Sequence, residues 1–219
     1  MSETHPVIAI DGPAASGKSS VARKIAARLG WTYVNTGNMY RAMTHCVLSR
    51  GLSLSDSPAI GILAAEVPLS LEVQDGNKVV TVIDHDCPSD EVLNSEEVNR
   101  SVSYVAQVPE VRERLVAEQR ALAKRGPVVM EGRDIGSVVF PATPLKLYID
   151  ASEEVRARRR AVQGHADSVG LRDKIDSTRK TAPLVIPDGA VVIDSSEIGL
   201  NEVVDAACEA LTQRGVSFT

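Results

Sequence analysis

VIAIDGPAASGKSSVARKIAARLG, residues 7–30, is the stretch that decides the fold. Its first five residues form a short apolar run rich in β-branched side chains, which is typical of a buried parallel strand. A loop bracketed by Gly12 and Gly17 follows, and residues 18–29 then show a helical pattern. A strand that passes through a glycine loop into a helix is the first unit of an open α/β sheet.

The same alternation continues along the chain. Apolar runs that predict further strands occur at residues 32–34, 128–130, 145–149 and 190–193. Helical patterns that accompany them occur at residues 39–50, 109–125, 152–163 and 200–213. Because strands alternate with helices, the sequence predicts a three-layer, doubly wound α/β fold with a parallel sheet and helices on both faces.

One segment interrupts this alternation. LSLEVQDGNKVVTVID, residues 69–84, contains two runs of strand-like alternation separated by Asp75, Gly76 and Asn77. That pattern predicts an antiparallel hairpin, which does not fit inside a parallel sheet. We therefore assign residues 65–98 to a small inserted subdomain and residues 1–64 and 99–219 to the core. The alternative is a surface excursion without a functional role.

Composition limits the classes of function. The 219-residue chain carries 24 Lys and Arg against 29 Asp and Glu, a formal net charge of −5. That balance argues against a general nucleic-acid coat or a cationic membrane binder. The three cysteines, Cys46, Cys87 and Cys208, include no C-x-x-C pair, and no apolar run is long enough to span a membrane. We expect a cytoplasmic monomer with no nucleic-acid or membrane partner.

The glycine loop has the pattern of a phosphate-binding loop. Residues 12–19, GPAASGKS, match G-x-x-x-x-G-K-[ST] between a strand and a helix, the context that the pattern requires. Backbone N–H groups and the helix N-terminus then surround a β-phosphate, Lys18 bridges the β- and γ-phosphates, and the Ser19 hydroxyl ligates Mg²⁺. The predicted nucleotide-binding residues are Gly12, Pro13, Ala14, Ala15, Ser16, Gly17, Lys18, Ser19 and Ser20.

The loop alone does not say where the γ-phosphate goes. The sequence contains no N-K-x-D for guanine recognition. The counterpart of a Walker B strand, VVMEGRD at residues 128–134, offers Glu131 as a candidate for holding Mg²⁺ through water. It then continues into Arg133 and Asp134, and an arginine at the carboxyl end of a parallel strand points to a second anion beside the first.

Arg41 is a second candidate for binding that anion. It lies in NTGNMYRAM, residues 35–43, after the predicted strand at residues 32–34. We expect Thr36 and Gly37 to open a helix with the Thr36 hydroxyl at its N-cap, and Tyr40 and Arg41 to follow one turn later. In isolation, a solvated helix arginine would look the same.

A third group of charges lies in residues 158–184, which are rich in charge and contain two glycines. Within it, Arg172, Asp176 and Arg179 are spaced to share one helical face, although an exposed ion-pair ladder has the same spacing. The whole segment is either a solvated surface or a mobile lid that closes over polyphosphate. Three arginine-bearing segments beside a phosphate loop together favour phosphoryl transfer between two phosphorylated partners.

Several stretches together resemble the bacterial-type cytidylate kinases, within the nucleoside monophosphate kinases. The resemblance covers nearly the whole chain and is carried by IDGPAASGKS, NTGNMYR, the hairpin region, SYVAQVPEVRERL, EGRDIGSVVFP, LKLYIDAS and RDKIDSTRKTAPL. GRD-x-G-x-VVFP and D-x-x-R-x-x-APL are much more specific than the phosphate loop. The resemblance implies a P-loop core with a monophosphate-binding insert and a lid, and transfer of the ATP γ-phosphate to CMP or dCMP with Mg²⁺.

The resemblance also implies roles for individual residues. The arginines on the acceptor phosphate would be Arg41, Arg133 and Arg179, and the ribose contacts would be Arg172 and Asp176. The residues that read cytosine would be Ser103, Arg112 and Asp134, with Thr36 close by. Arg159 and Arg160 resemble lid residues near the transferred phosphate, which makes Lys18, Arg133, Arg159 and Arg179 the implied catalytic set.

The cytosine readers have a chemical basis. Cytosine offers an amino donor, a ring-nitrogen acceptor and a carbonyl acceptor, which a carboxylate, a hydroxyl and a guanidinium complement. Two other interpretations of the residues stay open. A kinase of another small acceptor would not need Ser103, Arg112 and Asp134, and a nucleotide-dependent regulatory module would hydrolyse its nucleotide slowly.

Overall fold

The computed structural model of the chain describes residues 5–162, 175, 178 and 182–218. The strands are β1 (Val7–Asp11), β2 (Thr32–Asn35), β3 (Leu69–Val73), β4 (Val79–Ile83), β5 (Val128–Gly132), β6 (Lys146–Asp150) and β7 (Val191–Asp194). Five of them form one parallel sheet in the order β2-β5-β1-β6-β7, and β3 and β4 form a separate antiparallel pair. The central strand is therefore β1.

The helices cover both faces of the parallel sheet. Those described are α1 (Lys18–Leu29), α2 (Thr36–Ser49), α3 (Ser57–Glu66), α4 (Asp90–Leu93), α5 (Glu96–Val105), α6 (Pro109–Ala123), α7 (Glu153–Val162) and α8 (Leu200–Thr212). Two shorter turns of helix lie at Asp75–Asn77 and Ile135–Val139.

Two apolar cores hold the layers together, one on each face of the sheet. On one face, Ala9 of β1 packs in a buried cluster with Met43 of α2 and Leu115 of α6. On the other face, Ile10 packs with Ile25 of α1 and Val204 of α8. Every residue of β1 is buried, which explains why residues 7–10 are continuously apolar and do not alternate with polar residues.

The hairpin lies against the first of these cores. β3 and β4 pair in register from Leu69 with Ile83 to Val73 with Val79, and the turn places Gly76 at φ 74°. The inward residues of both strands belong to the same buried cluster as α2 and α6. Asn77 in the turn donates its side-chain N–H to the carbonyl of Gly30, at 3.2 Å. The hairpin is confirmed, and the division of the chain at residues 65 and 98 stays a prediction.

The predicted fold class is confirmed, and the strand and helix positions agree to within a few residues at their ends. The sequence reading did not include α3, α4 and α5, which lie before and after the hairpin. It also placed the N-cap of α2 wrongly. The cap is Asn35, whose side chain accepts the N–H of Asn38 at 3.2 Å, because Thr36 is already the first residue of α2. In the parts of the chain that the structure describes, no helix is long and apolar enough to cross a membrane.

Candidate functional site

A cleft of about 980 Å³ opens at the carboxyl edge of the parallel sheet. This is the edge at which open α/β sheets bind their ligands. The structure brings most of the predicted site residues together around it. Those that line the cleft are Ala14, Ala15, Ser16, Gly17, Lys18, Ser19, Ser20, Thr36, Tyr40, Arg41, Ser103, Arg112, Arg133, Asp134, Arg159 and Arg160.

The phosphate loop begins at a position that only glycine can occupy. Gly12 has φ 154°, and a Cβ built on it would lie 2.1 Å from the carbonyl oxygen of Ile149 in β6. Gly17, at the start of α1, has φ 93° in the left-handed region. The backbone of the turn therefore packs closely against β6 where β1 ends, and it then leads into the N-terminus of α1.

Lys18 lies inside this loop. Its side chain is buried, and Nζ donates to the carbonyl of Pro13 at 2.9 Å. That bond folds the side chain back over the loop, where its charge faces the space that phosphate oxygens occupy in such loops. Pro13 and Gly12 do not line the cleft, but their carbonyls accept bonds from residues that do.

The loop is held by Ser195, the residue that follows β7, and by Arg159 of α7. The hydroxyl of Ser195 donates to the carbonyl of Ser16 at 2.9 Å, and Arg159 on α7 donates to the Ser195 hydroxyl at 2.9 Å and to the Ser195 carbonyl at 2.7 Å. The Ser16 hydroxyl is buried and has no hydrogen-bond partner among the described residues. A buried, unpaired donor inside a phosphate loop is suited to a ligand oxygen.

Arg133 connects the loop to the opposite wall. Its Nη1 donates to the carbonyl of Gly12 at 2.9 Å, across 121 residues of sequence. Arg41 approaches from α2, and a Cβ built on Gly37 would lie only 2.8 Å from its Nη1. Because Gly37 has no side chain, the Arg41 guanidinium can approach the first turn of α2 closely.

A buried ion pair forms the far wall of the cleft. Arg112 on α6 donates to Asp134, and both side chains are more than nine-tenths buried. Arg112 also donates to the carbonyl of Ala106 at 3.3 Å and lies 5.5 Å from the centre of the Tyr40 ring. Ser103 of α5 is buried beside them. This is a polar recess whose charged groups are paired and pre-oriented.

Thr36 and Glu131 join the ends of β2 and β5. The Thr36 hydroxyl donates to the carbonyl of Glu131 at 2.8 Å, and the Tyr33 hydroxyl donates to the Glu131 carboxylate at 3.3 Å. Glu131 is buried and also lines the cleft. The hydroxyl of Thr36 is thus engaged with the protein in this structure.

Two arginines of α7 contact different walls of the cleft. Arg156 donates to the carbonyl of Ala14 at 3.4 Å, and Arg160 donates to the side-chain oxygen of Asn99 at 3.3 Å. Arg160 is buried although it lies near the end of its helix. Three further predicted residues, Arg172, Asp176 and Arg179, lie outside the described residues.

Sequence reasoning missed Asp11 and Ser195. Asp11 ends β1 with a fully buried carboxylate, and its oxygens accept the N–H of Ile135 and the N–H of Gly136, each at 2.7 Å. An acidic residue that closes a buried apolar strand was the available signal, because a buried carboxylate requires partners. Ser195 had no comparable signal, since one serine after a strand is common.

Burial raises the pKa of the Asp11 carboxyl from 3.8 to about 7. The two backbone N–H groups and the nearby Lys18 act in the opposite direction, and the Asp134 charge adds to the increase. The folded state therefore binds this proton more tightly than the unfolded chain does. The contribution to stability is fully present below about pH 4 and is lost as the pH rises toward 7.

We expect this loss to be visible in unfolding experiments. Between about pH 5 and pH 6.5, the free energy of unfolding of the native protein should fall relative to that of an Asp11→Asn variant by about 1.4 kcal/mol per pH unit. Denaturant unfolding of both proteins at several pH values measures the difference. Parallel profiles would mean that the Asp11 pKa is not raised.

The cleft is therefore lined by a phosphate loop, by the guanidinium groups of Arg41 and Arg133, and by the polar recess of Arg112 and Asp134. The sequence model of the family described as Cytidylate kinase matches residues 8–213 of this chain. The chain belongs to the cytidylate kinase family.

Relatives in this family match over nearly their full length. Cytidylate kinase from Geobacillus sp. (strain WCH70) is 42% identical over 218 residues, which is 94% of this chain and 96% of that protein. Cytidylate kinase from Caldanaerobacter subterraneus subsp. tengcongensis is 44% identical over 215 residues, 93% of each. The crystal structure of TT1252 from Thermus thermophilus has a TM-score of 0.50 at 19% identity, over 98% of this chain and 100% of that one. That last likeness concerns the fold alone.

Proposed function

We propose that this chain transfers the γ-phosphate of ATP to CMP or dCMP, giving ADP and CDP or dCDP. Membership of the cytidylate kinase family supports this reaction. The observation that assigns it to the cleft is the position of two neighbouring residues. Arg133 contacts the phosphate loop, and Asp134 pairs with Arg112 in the polar recess. The segment that contains Arg133 and Asp134 would thus contact both the phosphate donor, ATP, and the phosphate acceptor, CMP or dCMP.

The donor half is the phosphate loop and the wall beside it. Lys18 and the backbone of residues 12–19 would hold the ATP phosphates. Beyond Ser195 the cleft is lined by Ile198, Gly199, Leu200 and Val203. Apolar side chains next to a phosphate loop offer a surface for the donor base.

The acceptor half lies between α2, α5, α6 and the end of β5. Arg41 and Arg133 would bind the acceptor phosphate, because a guanidinium matches two phosphate oxygens at once. Asp134 would accept the cytosine amino group, while Arg112 and Ser103 would meet the ring nitrogen and the carbonyl. When the base binds, Arg112 and Asp134 must form hydrogen bonds with it in addition to, or in place of, the one between them.

The transfer itself requires little covalent chemistry from the protein. The acceptor phosphate is already an anion near neutral pH, so no general base is needed and Asp134 serves in binding. Lys18, Arg41, Arg133 and Arg159 would offset the charge on the reacting oxygens and hold the two phosphates in line. Arg179 as a further catalytic residue, Arg172 and Asp176 as ribose contacts, and residues 158–184 as a lid remain proposals from the sequence.

The side chains present in the cleft fit a magnesium ion. Ser19 and Glu131 both line it and provide the hard oxygen donors that Mg²⁺ prefers, and Mg²⁺ takes its other ligands from water and substrate phosphates. Ser19 would hold the ion directly and Glu131 through water. When bound, the ion supplies positive charge to the donor phosphates.

We also propose that the protein acts as a cytoplasmic monomer without a nucleic-acid or membrane partner. The net charge of −5 supports the part of this proposal that concerns nucleic acid and anionic membranes, because a surface that binds polyanions broadly is usually basic.

A panel of acceptors tests the proposed function. With ATP and Mg²⁺, ADP release is expected with CMP or dCMP, and kcat/KM for UMP should be at least about 10–100-fold lower. Uracil would present a carbonyl to Asp134, which places one acceptor against another in a buried site. The measurement is a coupled assay of ADP release with CMP, dCMP, UMP and AMP.

The same panel separates the alternatives. Comparable efficiency on UMP would contradict the assignment of Ser103, Arg112 and Asp134 to cytosine. Activity on a different small acceptor only would indicate another kinase, and ATP binding without acceptor-dependent ADP release would indicate a regulatory module.

A further inference from the structure

Asp11 is a buried carboxylate beside the phosphate loop that does not line the cleft and that the transfer reaction does not use directly. It is the last residue of β1 and is 0% exposed. One oxygen accepts the N–H of Ile135 and the other accepts the N–H of Gly136, both at 2.7 Å. These two residues follow immediately after Arg133 and Asp134, so the carboxylate holds the backbone of the segment that carries both.

The next residue after Asp11 is Gly12, the first of the phosphate loop. Its carbonyl accepts from Arg133 Nη1 at 2.9 Å. Two links therefore join the start of the donor loop to the acceptor segment. In one, a side chain of β1 holds the backbone beyond β5, and in the other, a side chain beyond β5 holds the backbone after β1.

We infer that Asp11 is a positioning residue, whose carboxylate fixes Arg133 and Asp134 relative to the phosphate loop and thereby sets how the acceptor is held against the donor. This inference rests on the proposed function, because it concerns the acceptor half of that same site. Two acceptor oxygens on two successive N–H groups fix both the place and the tilt of a turn, which a single bond would not do.

The burial of Asp11 supports a role beyond packing. An apolar residue at this position would not carry the cost of burying a carboxyl group, and the raised pKa of Asp11 reflects that cost. The turn is also tightly enclosed. A Cβ built on Gly136 would lie 3.3 Å from an Asp11 oxygen and 3.1–3.2 Å from Pro187 and Lys146. The segment therefore has little freedom while the carboxylate is in place.

The test compares Asp11→Asn with Thr143→Val in the full chain at pH 8. Asparagine keeps the size of the side chain but can accept from only one of the two N–H groups. Thr143 is the control, because its hydroxyl donates to the carbonyl of Val7 at the other end of β1, at 2.7 Å, and does not line the cleft. For each protein, kcat, KM for CMP and the Kd of ATP without acceptor are measured.

We expect Asp11→Asn to lower kcat/KM for CMP by about 10–100-fold, because small displacements of positioning groups have effects of this size. The Kd of ATP should change by less than about threefold, and Thr143→Val should leave all three constants within about twofold. Equal losses for ATP and CMP, or losses that match those of Thr143→Val, would overturn the inference. If the native protein does not phosphorylate CMP at all, the proposed function is wrong, and the inference about Asp11 falls with it. A failure of the inference alone would leave the native activity on CMP intact.

A second readout does not depend on catalysis. In the native protein, the amide protons of Ile135 and Gly136 should resonate downfield and exchange slowly, because both donate to a buried carboxylate. In Asp11→Asn, at least one of them should lose both properties, as observed by NMR. Gly136→Ala provides a second variant that disturbs the same turn, and it should show the same selective loss for CMP. Unchanged amide signals in Asp11→Asn would overturn the inference.

Discussion

Replacing Arg133 by alanine is expected to lower kcat with CMP by about 10³-fold. Phosphoryl transfer depends on positive charge held at the reacting oxygens, and Arg133 reaches the phosphate loop directly through its 2.9 Å bond to Gly12. The variant should still fold, because the side chain is only partly buried and the bond to one backbone carbonyl contributes about 1 kcal/mol. Single-turnover kinetics of ADP formation and thermal unfolding together measure both expectations.

Two further variants make the result specific. Arg133→Lys keeps the charge but loses the planar fork, so its kcat should lie between those of the native protein and Arg133→Ala. Arg120→Ala is the matched control, because Arg120 also donates to backbone carbonyls, those of Val138 and Val139, but does not line the cleft. Turnover of Arg133→Ala close to that of Arg120→Ala would refute the role of Arg133.

Gly12→Ala is expected to abolish ATP binding and to destabilise the fold by on the order of 4 kcal/mol. The added methyl group would overlap the carbonyl oxygen of Ile149, at 2.1 Å, and no side-chain rotation relieves a contact between Cβ and a backbone atom. To make room, β1 and β6 must separate at the point where the phosphate loop begins. Nucleotide titration and denaturant unfolding provide the two measurements.

Gly30→Ala is the control for the backbone effect. Gly30 ends α1 with φ 65°, and a Cβ built there meets no atom within 4 Å. This variant should lose only about 1 kcal/mol through left-handed strain and should bind ATP normally. If Gly12→Ala binds ATP as Gly30→Ala does, the contact between β1 and β6 is not what shapes the loop.

Much of the fold could be predicted from the sequence, because its local signals agree. Strand β1 is buried on both faces, so its residues 7–10 are continuously apolar, and Gly12, Gly17 and Gly30 mark the turns around α1. The helices around the hairpin were harder to predict. The start of each is marked by a capping side chain, Asp56, Ser89 or Ser95. However, α3 has little periodic pattern, α4 has only four residues, and α5 is amphipathic but only ten residues long.

The sequence allowed the residues of the candidate site to be predicted, but not the hydrogen bonds and ion pairs between them. Arg41, Arg112, Arg133 and Asp134 stand in recognisable segments, and the structure places all four around one cleft. The pairing of Arg112 with Asp134 and the bonds of Asp11 join residues that are 22 and 124–125 positions apart. Contacts of that kind depend on the strand order, for which a single sequence contains no local signal.

The central position of β1 in the sheet also affects how the protein folds during synthesis. Its two sheet neighbours, β5 and β6, begin at Val128 and Lys146, and the serine that secures the phosphate loop is Ser195. During synthesis from the N-terminus, the loop sequence leaves the ribosome first but has no strand to pair with until more than half of the chain has followed. A nascent chain that stops before β5 would contain β1, with its four apolar residues 7–10, but neither of the strands that pair with it. The segment that starts the nucleotide site is thus among the last to become protected.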